Sequence, residues 1–139
     1  MAEVSEEIRK SIEAVCRKAK EHASAVAFAS EADMNAMLRA AADALRAKAA
    51  YIIAENAEDV KNCTRGAQFA DRLMLNEKRI DGIAAGLEKL VELKCPVGEV
   101  LEERTLYNGL QLSRVRVPLG VIGIIYESRP NVTADAIGL

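Results

Sequence analysis

The sequence predicts an α/β fold, on three observations. Helical periodicity runs through most of residues 1–98. An Asn-Gly dipeptide, Asn108-Gly109, separates two strand-like runs. Val121-Ile122-Gly123-Ile124-Ile125-Tyr126 is then a β-branched stretch without a charge, followed by a polar loop and a helix start. Because that stretch is apolar on both parities instead of alternating, it suits a strand covered on both faces, as in a parallel sheet. The chain divides accordingly into a helical part over 1–98, a hairpin arm over 99–117, and a strand with the start of a helix over 118–139.

Between Glu3 and Ala29 the apolar residues Ile8, Ile12, Val15 and Ala19 recur at helical intervals, with Glu6, Lys10, Glu13, Arg17 and Lys20 on the other side, which describes an amphipathic helix. His22 lies near its end, where a cation suits the helix dipole, and a solvated role accounts for it. Ser30-Glu31-Ala32-Asp33 offers a capping box ahead of a second pattern that extends to Asn62. Met34, Met37, Leu38, Ala41, Leu45, Ile52 and Ile53 carry its apolar stripe, whose phase changes around Ala49–Tyr51, so a bend or break is expected there. Cys63-Thr64-Arg65-Gly66 supplies a stop, with Gly66 able to take the left-handed conformation that ends helices. A short turn-like piece through Phe69 and Leu73 follows. Asn76 then caps another helix, with Ile80, Ile83, Ala84, Leu87, Leu90 and Val91 on its inner face. Lys94-Cys95-Pro96-Val97-Gly98 ends it.

Glu99–Leu106 and Leu110–Val117 form the hairpin. With Asn108 and Gly109 as the two central turn residues, Glu103 faces Arg114 and Thr105 faces Leu112. The apolar parity switches within the second run, from Leu110 and Leu112 to Val115 and Val117, which calls for a bulge or bend. The hairpin's outer part has little of this chain to cover it, so it serves either as an interface or as a ribbon folded back on the N-terminal helices. Pro118-Leu119-Gly120 turns the chain into the apolar strand, and Gly123 fits a place where backbone or ligand approaches closely. Asn131 stands as the N-cap of the terminal helix. Ligands of open α/β sheets collect at the carboxyl ends of strands, so the loop Glu127-Ser128-Arg129-Pro130 and Asn131 are the candidate site.

Composition excludes several function classes. A formal net charge of −2, from 19 basic and 21 acidic residues, gives no electrostatic case for nucleic acid or an anionic membrane. No apolar run approaches the roughly 18 residues that span a bilayer, and the acidic start is unlike a secretory signal. A cytoplasmic protein is expected. Cys16, Cys63 and Cys95 are odd in number and far apart, and His22 is the sole histidine, so neither a disulfide framework nor a metal site is expected.

The order Pro-Leu-Gly, buried strand, Glu-Ser-Arg-Pro-Asn over Arg114–Ala136 resembles closely the N-terminal part of the gamma-glutamyl phosphate reductase family, the glutamate-5-semialdehyde dehydrogenases of the aldehyde dehydrogenase superfamily. A weaker resemblance in helix order and hairpin placement extends back through most of the chain. The resemblance implies that these helices, the hairpin arm and the first strand-helix unit belong to an incomplete aldehyde-dehydrogenase-like nucleotide-binding sheet. It also implies NADPH-dependent reduction of gamma-glutamyl phosphate to glutamate-5-semialdehyde through a cysteine thioester. That family's cysteine lies beyond Leu139, and none of the three cysteines here matches it, so this chain alone is expected to be inactive. Asn131 resembles the asparagine that donates to the developing oxyanion, with N-capping as the competing or coexisting role. Tyr126, Glu127, Ser128, Arg129 and Pro130 would line the nicotinamide-ribose side of the NADP cleft. Arg129 would meet a phosphate or the substrate carboxylate, or else pair with Glu127 or Asp135. The resemblance further implies a homo-oligomer joined through the hairpin, and glutamate kinase is a candidate partner. The alternative is a non-catalytic helical interaction module derived from the same family.

Overall fold

A computed structural model of the chain describes residues 5–127 and 129–139. Among them are six helices and one two-stranded sheet: α1 (Glu6–Ala27), α2 (Glu31–Ala47), α3 (Ala49–Lys61), α4 (Ala67–Leu73), α5 (Glu77–Leu90), β1 (Val100–Thr105), β2 (Gln111–Val115) and α6 (Pro130–Gly138). The chain forms two compact units. One comprises Met1–Ser30 with Cys95–Gly123, and the other Glu31–Lys94 with Ile124–Leu139.

The second unit is built on α2 and α5. Their stripes meet at two alanines, Ala42 and Ala84, both fully buried, and small side chains at such a crossing let the helices approach closely. Leu87 joins them, and Leu38, Ala41, Leu45, Leu90 and Ala134 pack around this cluster. Ile80 is buried as well. Helix α5 begins where the sequence places it, because the side-chain oxygen of Asn76 accepts from the Arg79 backbone N–H at 2.8 Å. The long alanine-rich pattern divides at Lys48, beside the expected phase change.

Asn56 is the buried polar residue of this unit. Its Nδ2 donates to the Leu73 carbonyl at 3.0 Å, and its Oδ1 accepts from the Leu75 N–H at 2.6 Å, so one amide fixes the connection between α4 and α5. On the surface, Arg46 of α2 reaches α5 through Nη1 and Nη2 to both carboxylate oxygens of Glu88, at 2.5 and 2.9 Å, and through Nε to Asp81 at 2.9 Å. Hydrogen bonding to Arg46 holds the Glu88 carboxyl below its usual range, while Glu88 and then Asp81 raise the guanidinium pKa. Helix α6 packs on α5 so closely that a Cβ at Gly138 would lie 2.7 Å from Leu87 Cδ2 and 2.8 Å from Leu90 Cδ1. Glycine is the residue that fits there without displacing those leucines.

The first unit holds α1 and the hairpin. Helix α1 is capped by Ser5, whose hydroxyl accepts from the Ile8 N–H at 3.3 Å, and it contains no buried residue. Its stripe of Ile8, Ile12 and Val15 is exposed. In the hairpin the register departs by one residue from expectation: Glu103 faces Ser113, Arg104 faces Leu112 and Thr105 faces Gln111. The connection is three residues long rather than two. The Leu106 N–H donates to the Leu110 carbonyl, and Gly109 at φ +84° closes the loop after Tyr107 and Asn108, the geometry of a type I turn followed by a glycine bulge. The expected irregularity exists but falls on the other strand, between Val100 and Glu102.

Five further readings are corrected. Gly66, at φ +89°, begins α4 instead of ending α3, which stops at Asn62, and the supposed turn through Phe69 and Leu73 is α4 itself. Helix α5 ends at Leu90, before the Pro96 segment. Val121–Tyr126 is not helical and makes no backbone hydrogen bond among the described residues, so it is an apolar run without a sheet to join. Its side chains are exposed, Ile125 completely, and a Cβ at Gly123 would meet nothing within 4 Å, so the close approach expected at that glycine is not made here.

Candidate functional site

Helix α6 starts two residues earlier than the sequence suggests. Pro130 occupies its first turn and Arg129 is the N-cap, without a side-chain hydrogen bond to the turn. The ring of proline presets the helical φ and lacks the N–H that this position leaves unpaired, which outweighs the capping preference of asparagine. Asn131 is therefore inside the first turn, where its Nδ2 donates to Asp135 Oδ2 at 3.3 Å. The N-cap role expected of Asn131 is withdrawn.

The other candidate residues separate into two groups. The Tyr126 hydroxyl lies 2.7 Å from Thr133 Oγ1 and ties the end of the apolar run to α6. Glu127 reaches Arg65 at 3.9 Å, while the Arg65 guanidinium also stacks over Phe69, 4.8 Å from the ring centroid. The ion pair proposed between Arg129 and Glu127 or Asp135 is absent among the described residues. Ser128 lies outside the described residues.

Arg129, Pro130 and Asn131 instead border a groove of about 450 Å³ together with Asp135. The end of α4 and the connection after it supply Asp71, Arg72, Met74 and Leu75, and α5 supplies Arg79, Gly82 and Ile83. Arg79 is structural. Its Nη2 donates to Asp71 Oδ1 at 3.1 Å and its Nη1 donates to the Met74 carbonyl at 2.6 Å and to the Asp71 carbonyl, which holds the α4–α5 connection against α5. No ion pair of Arg72 or Arg129 occurs among the described residues. The groove thus combines a patch of Met74, Leu75 and Ile83 with two uncommitted cations and one carboxylate.

Sequence reasoning found the α6 edge of this groove and missed the α4–α5 edge, which lies far earlier in the chain. Nothing in the local pattern around Asp71 or Arg79 marks them. Cys16, Cys63 and Cys95 are free thiols, and none borders the groove. Among the described residues no cluster of His, Cys, Asp or Glu could hold a metal ion, and no helix is long and apolar enough to cross a membrane.

No protein-family model matches the chain. It is 51% identical over 123 residues to the gamma-glutamyl phosphate reductase of Rhizobium johnstonii, covering 86% of this chain and 29% of that protein. It is 47% identical over 142 aligned positions to gamma-glutamyl phosphate reductase 2 of Bacillus licheniformis, covering all of this chain and 34% of that one. Its fold matches the crystal structure of gamma-glutamyl phosphate reductase from Thermotoga maritima with a TM-score of 0.84 at 40% identity, over 88% of this chain and 30% of that structure. The chain is a homologue of the gamma-glutamyl phosphate reductases, matching them in sequence and fold across most of its own residues and about a third of their length.

Proposed function

We propose that the chain is the N-terminal portion of a cytoplasmic, NADP-dependent gamma-glutamyl phosphate reductase, which converts gamma-glutamyl phosphate into glutamate-5-semialdehyde and phosphate in proline biosynthesis. The observation that carries this reading is the 47–51% identity to proteins of that name over 86–100% of the chain. When bound, NADPH supplies the hydride that reduces the acyl group to the aldehyde.

The residues present suit such a cofactor edge. In the first turn of α6 Pro130 carries no N–H and the Val132 N–H donates to the Arg129 carbonyl at 3.2 Å, which leaves the Asn131 N–H to face an anionic group. Tyr126, Glu127, Ser128, Arg129 and Pro130 form the segment that borders the nicotinamide-ribose side. The Tyr126–Thr133 contact and the pairing of Glu127 with Arg65 tie Tyr126 and Glu127 to α6 and to the connection before α4. Asn131 orients its amide through Asp135, which accepts one Nδ2 proton and leaves the second for the acyl oxygen as negative charge develops there. The exposed apolar run Val121–Tyr126 takes its place in the nucleotide-binding sheet of the whole enzyme, and the β1–β2 hairpin joins subunits into a homo-oligomer. Glutamate kinase, whose product is an acyl phosphate, is the proposed partner.

The test is turnover. The complete reductase carrying this sequence should oxidise NADPH when gamma-glutamyl phosphate is supplied, whereas the 139-residue chain alone should not. In the complete enzyme, Asn131→Ala should lower kcat by roughly 100-fold with little change in KM, the usual cost of losing one oxyanion donor. Turnover by the isolated chain, or a folded complete protein that leaves NADPH untouched, would overturn the reading.

A further inference from the structure

We infer that the groove beside Asn131 is the subsite for the α-amino-acid end of the substrate, with Arg129 and Asp135 as its specificity-determining residues. This rests on the function proposed above and deepens it. Gamma-glutamyl phosphate and glutamate-5-semialdehyde share one recognition feature apart from the reacting carbon: a zwitterionic head, a carboxylate beside an ammonium, at the end of a short methylene chain. A site that selects it needs a cation for the carboxylate, an anion for the ammonium, and an apolar surface for the methylenes.

The groove offers all three. Arg129 has no ion pair among the described residues, and its fork of donors matches a carboxylate. Arg72 adds a second uncommitted cation across the groove on α4. Asp135 accepts from Asn131 Nδ2 through Oδ2, which leaves Oδ1 for an ammonium. Met74, Leu75 and Ile83 supply the apolar surface. Arg79 is excluded as a ligand because Asp71 and Met74 already occupy its guanidinium. Three features make the arrangement more than a charged surface: the groove adjoins the amide placed at the reacting acyl group, its volume of about 450 Å³ admits a small amino-acid derivative, and its cations outnumber its free carboxylates, as an anionic substrate requires. The same Asp135 that orients Asn131 would then touch the ammonium, so binding of the correct head would steady the amide that acts on the acyl oxygen.

The experiment uses the complete reductase in the oxidative direction, with NADP and phosphate, and compares glutamate-5-semialdehyde with butanal, which carries the aldehyde on the same chain but lacks the amino-acid head. Arg129→Gln should raise KM for glutamate-5-semialdehyde about 10- to 100-fold and collapse its preference over butanal by a similar factor, while Asp135→Asn, which also loosens the Asn131 amide, should lower kcat on both aldehydes and cut the preference in addition. Arg129→Lys should recover part of the preference. A preference over butanal that is unchanged in both variants, so that any loss falls equally on the two aldehydes, would overturn the inference while leaving the reductase reading intact. A parent enzyme that oxidises neither aldehyde would instead defeat that reading, and the inference with it.

Discussion

Helices α1 and α5 obey the same periodic rule and end in opposite states. Both carry branched aliphatic residues along one face and charges along the other. In α5 that face buries Ile80, Ala84 and Leu87 against partners from its own unit, and in α1 Ile8, Ile12 and Val15 stay exposed. Amphipathicity therefore specifies which side of a helix can be covered and says nothing of what covers it. The helical unit of Glu31–Lys94 and Ile124–Leu139 supplies its own core, whereas the described residues of the unit holding α1 and the hairpin contain no buried residue.

The contrast can be broken most forcefully at Leu87, which is 4% exposed. Leu87→Ala should destabilise the helical unit by about 2–5 kcal/mol, whereas Ile12→Ala in α1, at a side chain 55% exposed, should change stability by less than about 0.5 kcal/mol. Urea unfolding followed by helical circular dichroism measures both, and comparable effects would erase the distinction between the units. Asn56→Ala comes next. It strands the Leu73 carbonyl and the Leu75 N–H that the amide now serves, and should cost roughly 1–3 kcal/mol in the same titration.

The smallest effect is at the Arg46–Glu88 bridge, and pH isolates it. Because the folded state lowers the Glu88 pKa beneath its ordinary 4.5, the carboxylate's contribution is present above that value and is lost as pH falls through the folded pKa. The difference in Tm between the native chain and Glu88→Gln should therefore be full at neutral pH and shrink below pH 4.5. A difference that persists unchanged into strong acid would remove the ion pair as its cause.

Legibility in the sequence follows the range of the interaction. Helix α5 and its Asn76 cap were readable because the cap bond spans three residues and the buried stripe repeats every turn. The hairpin was readable as a hairpin, yet its register slipped by one because Tyr107 joins Asn108 and Gly109 in the connection. At the head of α6 two local preferences competed, and the fixed φ of Pro130 prevailed over the capping tendency of Asn131. The groove was half visible. Its α6 edge lies in one distinctive motif, but Asp71, Arg72 and Arg79 reach it through the packing of α4 and α5, which has no signature in a window of a few residues. Sheet pairing for Val121–Tyr126 is likewise non-local, and none of the described residues provides it.

That last run has a consequence for how the polypeptide survives its own synthesis. Six neighbouring residues rich in branched aliphatics, uncharged and with amides and carbonyls unpaired on both edges, have the makeup of segments that stack into cross-β aggregates. Pairing of those edges would therefore serve solubility as much as shape. Arg114 and Arg116 before the run, and Glu127 and Arg129 after it, are flanking charges of the kind that oppose such stacking.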